Sequence, residues 1–250
     1  MRKKGLDFIL LIVVIVIFFV MNYTSFEGFV VENLDNTELV QVERVIDGDT
    51  IVVEGVSVRM LGLNTPEKGE KYYAEAKEYT SSMVMNKTIK IERRGKDRYN
   101  RELAYLFEVE SGKNINSEIV REGYANYYFP DGQDNYYKLF VDAWEECILN
   151  NRNLCENSLD KCADCIKIHK FGPDEELILY NDCEFDCDFN GWSVKDEGRK
   201  TYVFEDFILK EDYQVTLTAE DFNQTYVWTN TGDTMFLRDS EGKLVLWENY

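Results

Sequence analysis

The chain has 250 residues, of which 47 are acidic and 28 basic, giving a formal net charge of −19 at pH 7. This length accommodates one large domain or two ordinary ones, and a hydrophobic content of 44% is enough for packed cores. The acidic balance excludes tight, non-specific binding of nucleic acid over the whole surface, because such binding needs many cations on phosphates. It does not exclude a local phosphate site.

The first residues combine positive charge with an apolar run. Basic residues 2–4 precede the uncharged segment 8–21, a pattern typical of a signal anchor or a signal peptide. Because the residues that follow make a poor cleavage site, we favour an uncleaved anchor over residues 1–23, with a cleaved peptide as the alternative. The basic flank predicts that the body lies outside the cytoplasm, either anchored to the membrane or secreted. Residues 24–36 are polar and are predicted to be a tether.

A β-hairpin is predicted next. A strand over residues 37–45 leads into two β-branched runs that flank Glu54-Gly55, and glycine supplies the positive φ that a tight turn needs. The acidic pair Asp47 and Asp49 lies at the entry of the first run, and the block 64–67 (Asn-Thr-Pro-Glu) follows the second. Polar groups at strand ends beside Gly and Pro suit a site held by a rigid scaffold.

Regular elements continue to about residue 155. Apolar spacing predicts helices over residues 72–84, 115–122 and 136–149, with Asn114 or Asn116 as the cap of the second. Strands are predicted over residues 88–93 and 103–109, separated by the charged turn 97–101.

Several of these sequence blocks, in this order, resemble those of a known protein family. The hairpin 42–67 and the turn Asp97-Arg98-Tyr99-Asn100-Arg101 make residues 37–155 similar to the thermonuclease family, the staphylococcal-nuclease-like phosphodiesterases. The resemblance implies an OB-fold, which is a five-stranded β-barrel, here with three helices. It also implies calcium-dependent hydrolysis of DNA or RNA.

The resemblance assigns catalytic roles residue by residue. Glu67 matches the general base, and Arg59 and Arg101 match the two arginines on the phosphate, where a planar guanidinium donates paired hydrogen bonds. Arg98 and Tyr99 stand where the family contacts substrate. The composition agrees, because the single histidine, His169, lies in a predicted linker. A histidine-based mechanism is therefore disfavoured, which leaves a carboxylate base, arginines and a hard metal.

The resemblance also implies a calcium site formed by Asp49, Asn64 and the backbone carbonyl of Thr65. Asn64 stands where well-known members carry an aspartate, so a full charge is lost and we expect weaker calcium binding. Asp47 offsets this loss from a neighbouring position. Asn100 replaces a common glycine, and asparagine tolerates the positive φ of that turn. Tyr127 and Tyr128 are candidates for stacking on bases.

Six cysteines agree with export, because an even count in an exported chain favours disulfides. Cys162-x-x-Cys165 leaves a zinc site open as the alternative, with Cys147 and Cys155 completing it. Cys183 and Cys187 form a second pair. Residues 156–171 are predicted to be a cysteine-containing linker.

Short strands with turns between them fill residues 172–250. They are predicted near residues 176–181, 190–194, 201–204, 213–217, 233–237 and 244–247, a pattern that predicts a β-sandwich. The pieces Gly191-Trp192-Ser193, Tyr202-Val203-Phe204 and Val227-Trp228-Thr229-Asn230 resemble a lamin-tail domain, which is Ig-like. The whole chain is thus predicted to be mainly β with α, in several domains.

Three functions remain open at this point. The first is an extracytoplasmic, monomeric nuclease. The second is a nucleic-acid-binding module without catalysis, and the third is a surface adhesion protein in which the sandwich binds an unknown partner. The set Arg59, Glu67 and Arg101 favours the first, while the net charge and Asn64 favour the others.

Overall fold

The computed structural model describes residues 37–250, of which residues 39–250 form one compact unit. The predicted anchor 1–23 and tether 24–36 lie outside the described residues. Within residues 37–250, no helix is long and apolar enough to cross a membrane.

A curled half-barrel sheet organises the first part. Its strands are β1 (Thr37–Gln41), β2 (Arg44–Asp47), β3 (Thr50–Val53), β4 (Val56–Met60), β6 (Thr88–Lys96) and β7 (Glu102–Glu108), in the order β1-β6-β7-β4-β3-β2. Strands β4 and β7 are parallel. The predicted hairpin is confirmed: β3 and β4 are joined by Glu54 and Gly55, both at positive φ. Two short strands, β5 (Gly62–Asn64) and β8 (Asn126–Tyr128), pair beside this sheet.

Three helices accompany the sheet, as the apolar spacing predicts. They are α1 (Tyr73–Val84), α2 (Ile115–Arg121) and α3 (Tyr137–Leu149). Asn114 caps α2, because its side chain accepts a hydrogen bond from the backbone N–H of Ser117. The predicted helix bounds hold to within one residue. This mostly-β sheet with three helices is consistent with an OB-fold.

The cysteines form three disulfides, Cys147–Cys155, Cys162–Cys187 and Cys165–Cys183. The prediction of disulfides is confirmed, and the zinc alternative is wrong, because its four cysteines are all oxidised and bonded to sulfur. The sulfurs of Cys162, Cys183 and Cys187 lie close together because two of the disulfides are adjacent.

Two further sheets and a short strand pair form the C-terminal part. The strands are β9 (Ile166–Lys170), β10 (Glu176–Asn181), β11 (Cys187–Asp188), β12 (Ser193–Lys195), β13 (Thr201–Val203), β14 (Ile208–Leu209), β15 (Gln214–Thr218), β16 (Thr234–Arg238) and β17 (Leu244–Asn249). Their orders are β15-β10-β9, β13-β12-β16-β17 and β11-β14. One buried cluster contains Leu179 and Leu217 from the first of these sheets and Val194 and Leu237 from the second.

The predicted linker 156–171 contains regular structure. A 3-10 turn, Asn153–Cys155, precedes it, and β9 lies inside it and pairs with β10. Ile166 is buried in the C-terminal core, with Ile168 packed against it, while Lys167 is exposed. The segment joins the sheet because its alternating apolar residues fit the pleat of a strand.

Strand β16 contributes to both hydrophobic cores. Met235 and Leu237 belong to the C-terminal core, while Phe236 belongs to the core of the first part, with its ring 5.1 Å from that of Trp144. Successive side chains of a strand point to opposite faces, so one strand can serve two cores. The C-terminal strands therefore complete the core of the first part.

Candidate active site

A buried ion pair lies at the centre of the candidate site. Thr50 on β3 is the register partner of Arg59 on β4, which brings Arg59 beside Asp49. The Nη1 of Arg59 lies 2.8 Å from Oδ2 of Asp49, and the two side chains are only 9% and 5% exposed. Burial lowers the pKa of Arg59, with Arg101 and Arg199 adding to the fall, while Asp49 and Asp47 oppose it. A guanidinium stays charged under such conditions.

The guanidinium of Arg59 is fixed further by the chain that follows β4. Its Nη2 donates to the carbonyl of Leu63 at 3.0 Å and to Oδ1 of Asn64 at 3.4 Å, and its Nη1 donates to the carbonyl of Met60 at 3.2 Å. The side chain of Arg59, which is predicted to bind the substrate phosphate, is therefore rigid and largely inaccessible to solvent.

The block 64–67 is tied to the acidic turn 47–49 through Thr65. The hydroxyl and backbone N–H of Thr65 donate to Oδ2 of Asp49 at 3.0 and 3.3 Å. Gly48 allows this approach, since a Cβ there would lie 2.7 Å from the Thr65 methyl. The side chain of Thr50 donates to Oδ1 of the same carboxylate at 2.9 Å.

The oxygen donors here are of the types that a hard divalent cation takes. Asp47 and Asp49 are close enough that burial and the charge of Asp49 together raise the pKa of Asp47, a repulsion that a cation would relieve. Carboxylate, amide and carbonyl oxygens of Asp49, Asn64 and Thr65 are the donor types that calcium takes. The amide nitrogen of Asn64 donates to the carbonyl of Gly198 at 2.7 Å, so its oxygen is directed at Arg59.

The charged turn 97–101 meets the hairpin through Arg101. Asp97 accepts hydrogen bonds from the backbone N–H groups of Tyr99 and Arg101, both at 2.9 Å, and pairs with Nε of Arg101 at 2.7 Å. Asn100 has φ +63°, as its substitution for glycine requires. The Nη1 of Arg101 lies 3.5 Å from Oγ1 of Thr50. Arg101 is 29% exposed and is thus the more accessible of the two arginines.

The predicted substrate contacts lie on the surface beside Arg101. Arg98 and Tyr99 are exposed, and the Arg98 guanidinium lies 4.9 Å from the centroid of the Tyr99 ring. The expectation for Tyr127 is wrong: this side chain is fully buried, and its hydroxyl accepts a hydrogen bond from Thr234 at 2.8 Å. Tyr128 is half-buried, and burial raises the pKa of its hydroxyl.

Glu67 lies apart from this buried cluster, in the exposed loop between β5 and α1. Its carboxylate forms an ion pair with Arg199, which lies in the turn between β12 and β13. The sequence reasoning missed Arg199. The available signal was the turn predicted between the strands near residues 190–194 and 201–204, but nothing local indicates where that turn lies in space.

Comparisons with known proteins find similarity over the part of the chain that carries most of these residues. Residues 57–155 match the family described as staphylococcal nuclease homologue. The matched range includes seven of the predicted site residues, namely Arg59, Asn64, Thr65, Glu67, Arg98, Tyr99 and Arg101, while Asp49 lies before it.

Among individual relatives, an uncharacterized endonuclease of Haemophilus influenzae is 32% identical over 102 residues, which cover 39% of this chain and 56% of that protein. The thermonucleases of Staphylococcus hyicus and Staphylococcus intermedius are 28% and 29% identical, over 63% and 62% of this chain and 100% and 99% of their own lengths. These similarities support a nuclease that hydrolyses phosphodiester bonds.

Proposed function

We propose that this chain is a calcium-dependent nuclease that hydrolyses phosphodiester bonds of DNA or RNA. The observation that carries the proposal is one hydrogen-bonded cluster that joins three separated blocks. Asp49 from the first block bonds to Arg59 and Thr65 of the second, and Thr50 bonds to Arg101 of the third. Guanidinium groups stabilise the negative charge that develops on the phosphoryl oxygens during hydrolysis.

Each residue of the site has its own role in the proposed reaction. Glu67 is 49% exposed, so water can reach its carboxylate, which accepts the proton of the attacking water as general base. Arg101 donates to the phosphoryl oxygens, where a planar guanidinium forms paired, charge-assisted hydrogen bonds. Arg59 adds positive charge from below in a buried environment, where charge is screened little. Arg98 and Tyr99 bind the flanking substrate.

Calcium is the metal that the donor set favours, held by Asp49, Asn64 and the carbonyl of Thr65. When bound, it supplies charge neutralisation at the phosphate. Because Asn64 offers a neutral oxygen, we expect millimolar rather than micromolar calcium to be needed, and Asn64→Asp to lower that requirement.

An extracytoplasmic location is part of the proposal, either with a membrane anchor at residues 1–23 or after its cleavage. Three disulfides support it, because disulfides persist in oxidising compartments. We also propose that residues 172–250 form an Ig-like, lamin-tail-like sandwich. Two sheets that share one buried core support this fold.

The test measures hydrolysis of single-stranded DNA and RNA by the full oxidised chain, with calcium and with a chelator. We expect calcium-dependent cleavage that falls about 10²-fold or more in Glu67→Gln and in Arg101→Ala. Lys138→Gln, which removes an exposed ion pair with Asp142 on α3, is the matched control and should cleave normally. A folded protein that binds DNA without cleaving it at any calcium level would instead support the binding module, and one that does neither would support the adhesion protein.

A further inference from the structure

The loop that carries Glu67 is tied to the first part of the chain at Thr65, and beyond that residue it has its own turn hydrogen bonds between Glu67 and Glu70. It runs from the end of β5 to the start of α1, and residues 67–71 are exposed. Within residues 37–250, the Glu67 carboxylate forms one ion pair, with Arg199 of the C-terminal part. A long, exposed carboxylate without a partner populates several rotamers, so this contact determines where the base is directed.

The turn that carries Arg199 is firmly anchored beside the site. The carbonyl of Gly198 accepts a hydrogen bond from Nδ2 of Asn64 at 2.7 Å, and the carbonyl of Glu197 accepts one from Nδ2 of Asn126 at 2.8 Å. The Glu197 carboxylate accepts a third, from the N–H of Phe129 at 3.2 Å. These bonds are buried, and they join the β12–β13 turn to the pair β5 and β8.

A second contact supports the same loop from the same side. Nζ of Lys71 lies 3.4 Å from the carbonyl of Glu241, in the turn between β16 and β17. The C-terminal part therefore touches the loop at both ends, through Arg199 at Glu67 and through Glu241 at Lys71.

We propose, resting on the nuclease function above, that Arg199 is a positioning residue of the nuclease site. It orients the Glu67 carboxylate toward the attacking water, so that the C-terminal strands complete the active site. The exposed pair contributes little to folding, since Arg199 and Glu67 are 61% and 49% exposed. Its effect is on geometry, and a misplaced base slows the chemical step strongly.

The experiment compares Arg199→Gln and Arg199→Lys, in the wild-type background and in Glu67→Gln, by single-turnover and steady-state cleavage of single-stranded DNA. We expect Arg199→Gln to lower kcat about tenfold with KM changed less than about twofold, and Arg199→Lys to recover part of kcat because it keeps the charge. In the Glu67→Gln background, Arg199→Gln should have no further effect. Lys170→Gln removes an ion-pair network on β9 and serves as the matched control.

Amide hydrogen exchange of the calcium-free protein gives a readout apart from catalysis. The backbone amides of residues 67–72 should exchange faster in Arg199→Gln than in the wild type or in Lys170→Gln, because the loop loses its contact with the C-terminal part.

Each of the following outcomes would overturn the proposal. An equal loss in the Glu67→Gln background, or a rise in KM alone, would show that Arg199 binds substrate phosphate directly. Higher activity in Arg199→Gln would show that Arg199 blocks the site. Unchanged kcat and exchange, with wild-type cleavage intact, would show that it has no role. A wild-type protein without cleavage would refute the nuclease function itself, and the inference with it.

Discussion

The two charged pairs of the candidate site are held in opposite ways. Asp49–Arg59 is buried and belongs entirely to the first part of the chain, with Thr65 and the carbonyls of Met60 and Leu63 around it. Glu67–Arg199 is exposed and joins two distant parts of the chain. In the proposed nuclease, the residues assigned to phosphate binding are thus held rigidly by the first part of the chain, whereas the proposed base, Glu67, depends on a contact from the C-terminal strands.

The largest difference between the pairs should appear in stability. Arg59→Met leaves Asp49 buried without its charged partner, and we expect a loss of about 3 kcal/mol or more in the free energy of unfolding. The matched change Arg199→Met should cost less than about 1 kcal/mol, because its pair is solvent-exposed. Urea unfolding of both variants measures this, and equal losses would contradict the contrast drawn between the pairs.

The stability of the turn between β12 and β13, which carries Arg199, should depend on pH. Burial raises the pKa of Asp196 to about 7 and that of Glu197 to about 8, with the charge of Asp233 adding to both. Lys200 opposes the shift of Asp196, and the N–H of Phe129 opposes that of Glu197. These values lie above those of the unfolded chain, so the folded state binds protons more tightly. The stability that these two groups contribute is therefore fully present below about pH 4 and is lost as the pH rises toward about 8.

We expect Glu197→Gln to remove part of this loss, since Gln keeps the oxygen that accepts from Phe129 but does not ionise. The variant should match the wild type near pH 5 and exceed its free energy of unfolding by about 2 kcal/mol near pH 9. Exposed Glu205→Gln is the control and should follow the wild type throughout. If the free energy of unfolding varied with pH in the same way in the wild type and in Glu197→Gln, the raised pKa of Glu197 would be refuted.

A smaller effect is expected at the turn that holds Arg101. Asp97→Ala removes the ion pair and both backbone hydrogen bonds, so Arg101 loses its fixed direction, and kcat/KM should fall about tenfold. The kcat/KM of Asp97→Asn should fall less, because asparagine keeps an accepting oxygen. Steady-state cleavage measures both, with exposed Glu110→Gln as control, and an unaffected Asp97→Ala would show that Arg101 needs no such support.

The smallest effect is expected on the outer surface. Tyr99→Ala removes the ring beside Arg98 and Arg101, a contact worth about 0.5–1 kcal/mol at an exposed site, so KM should rise about threefold with kcat unchanged. Tyr99→Phe keeps the ring and should behave as the wild type. A fall in kcat would mean that Tyr99 acts in the chemistry rather than in binding.

Local features of this protein were predictable from its sequence because they depend on nearby residues. The hairpin turn at Glu54-Gly55 follows from turn chemistry, and cap chemistry limited the start of α2 to Asn114 or Asn116. The positive φ of Asn100 was expected because the resembling family has a glycine there. The family resemblance, which rests on the order of these blocks, implied that Asp49, Thr65 and Arg101 lie together, and the structure joins their blocks by hydrogen bonds.

Only the tertiary structure decided which distant residues meet. The fold selects one of the possible pairings of the six cysteines. It also places β9 in a segment that was expected to be a linker. Tyr127 is buried beneath β16, where Thr234 donates a hydrogen bond to its hydroxyl. The fold also brings Arg199 to Glu67 across the chain. Such contacts are determined by how whole sheets pack their apolar faces, and no periodicity within a short segment encodes that packing.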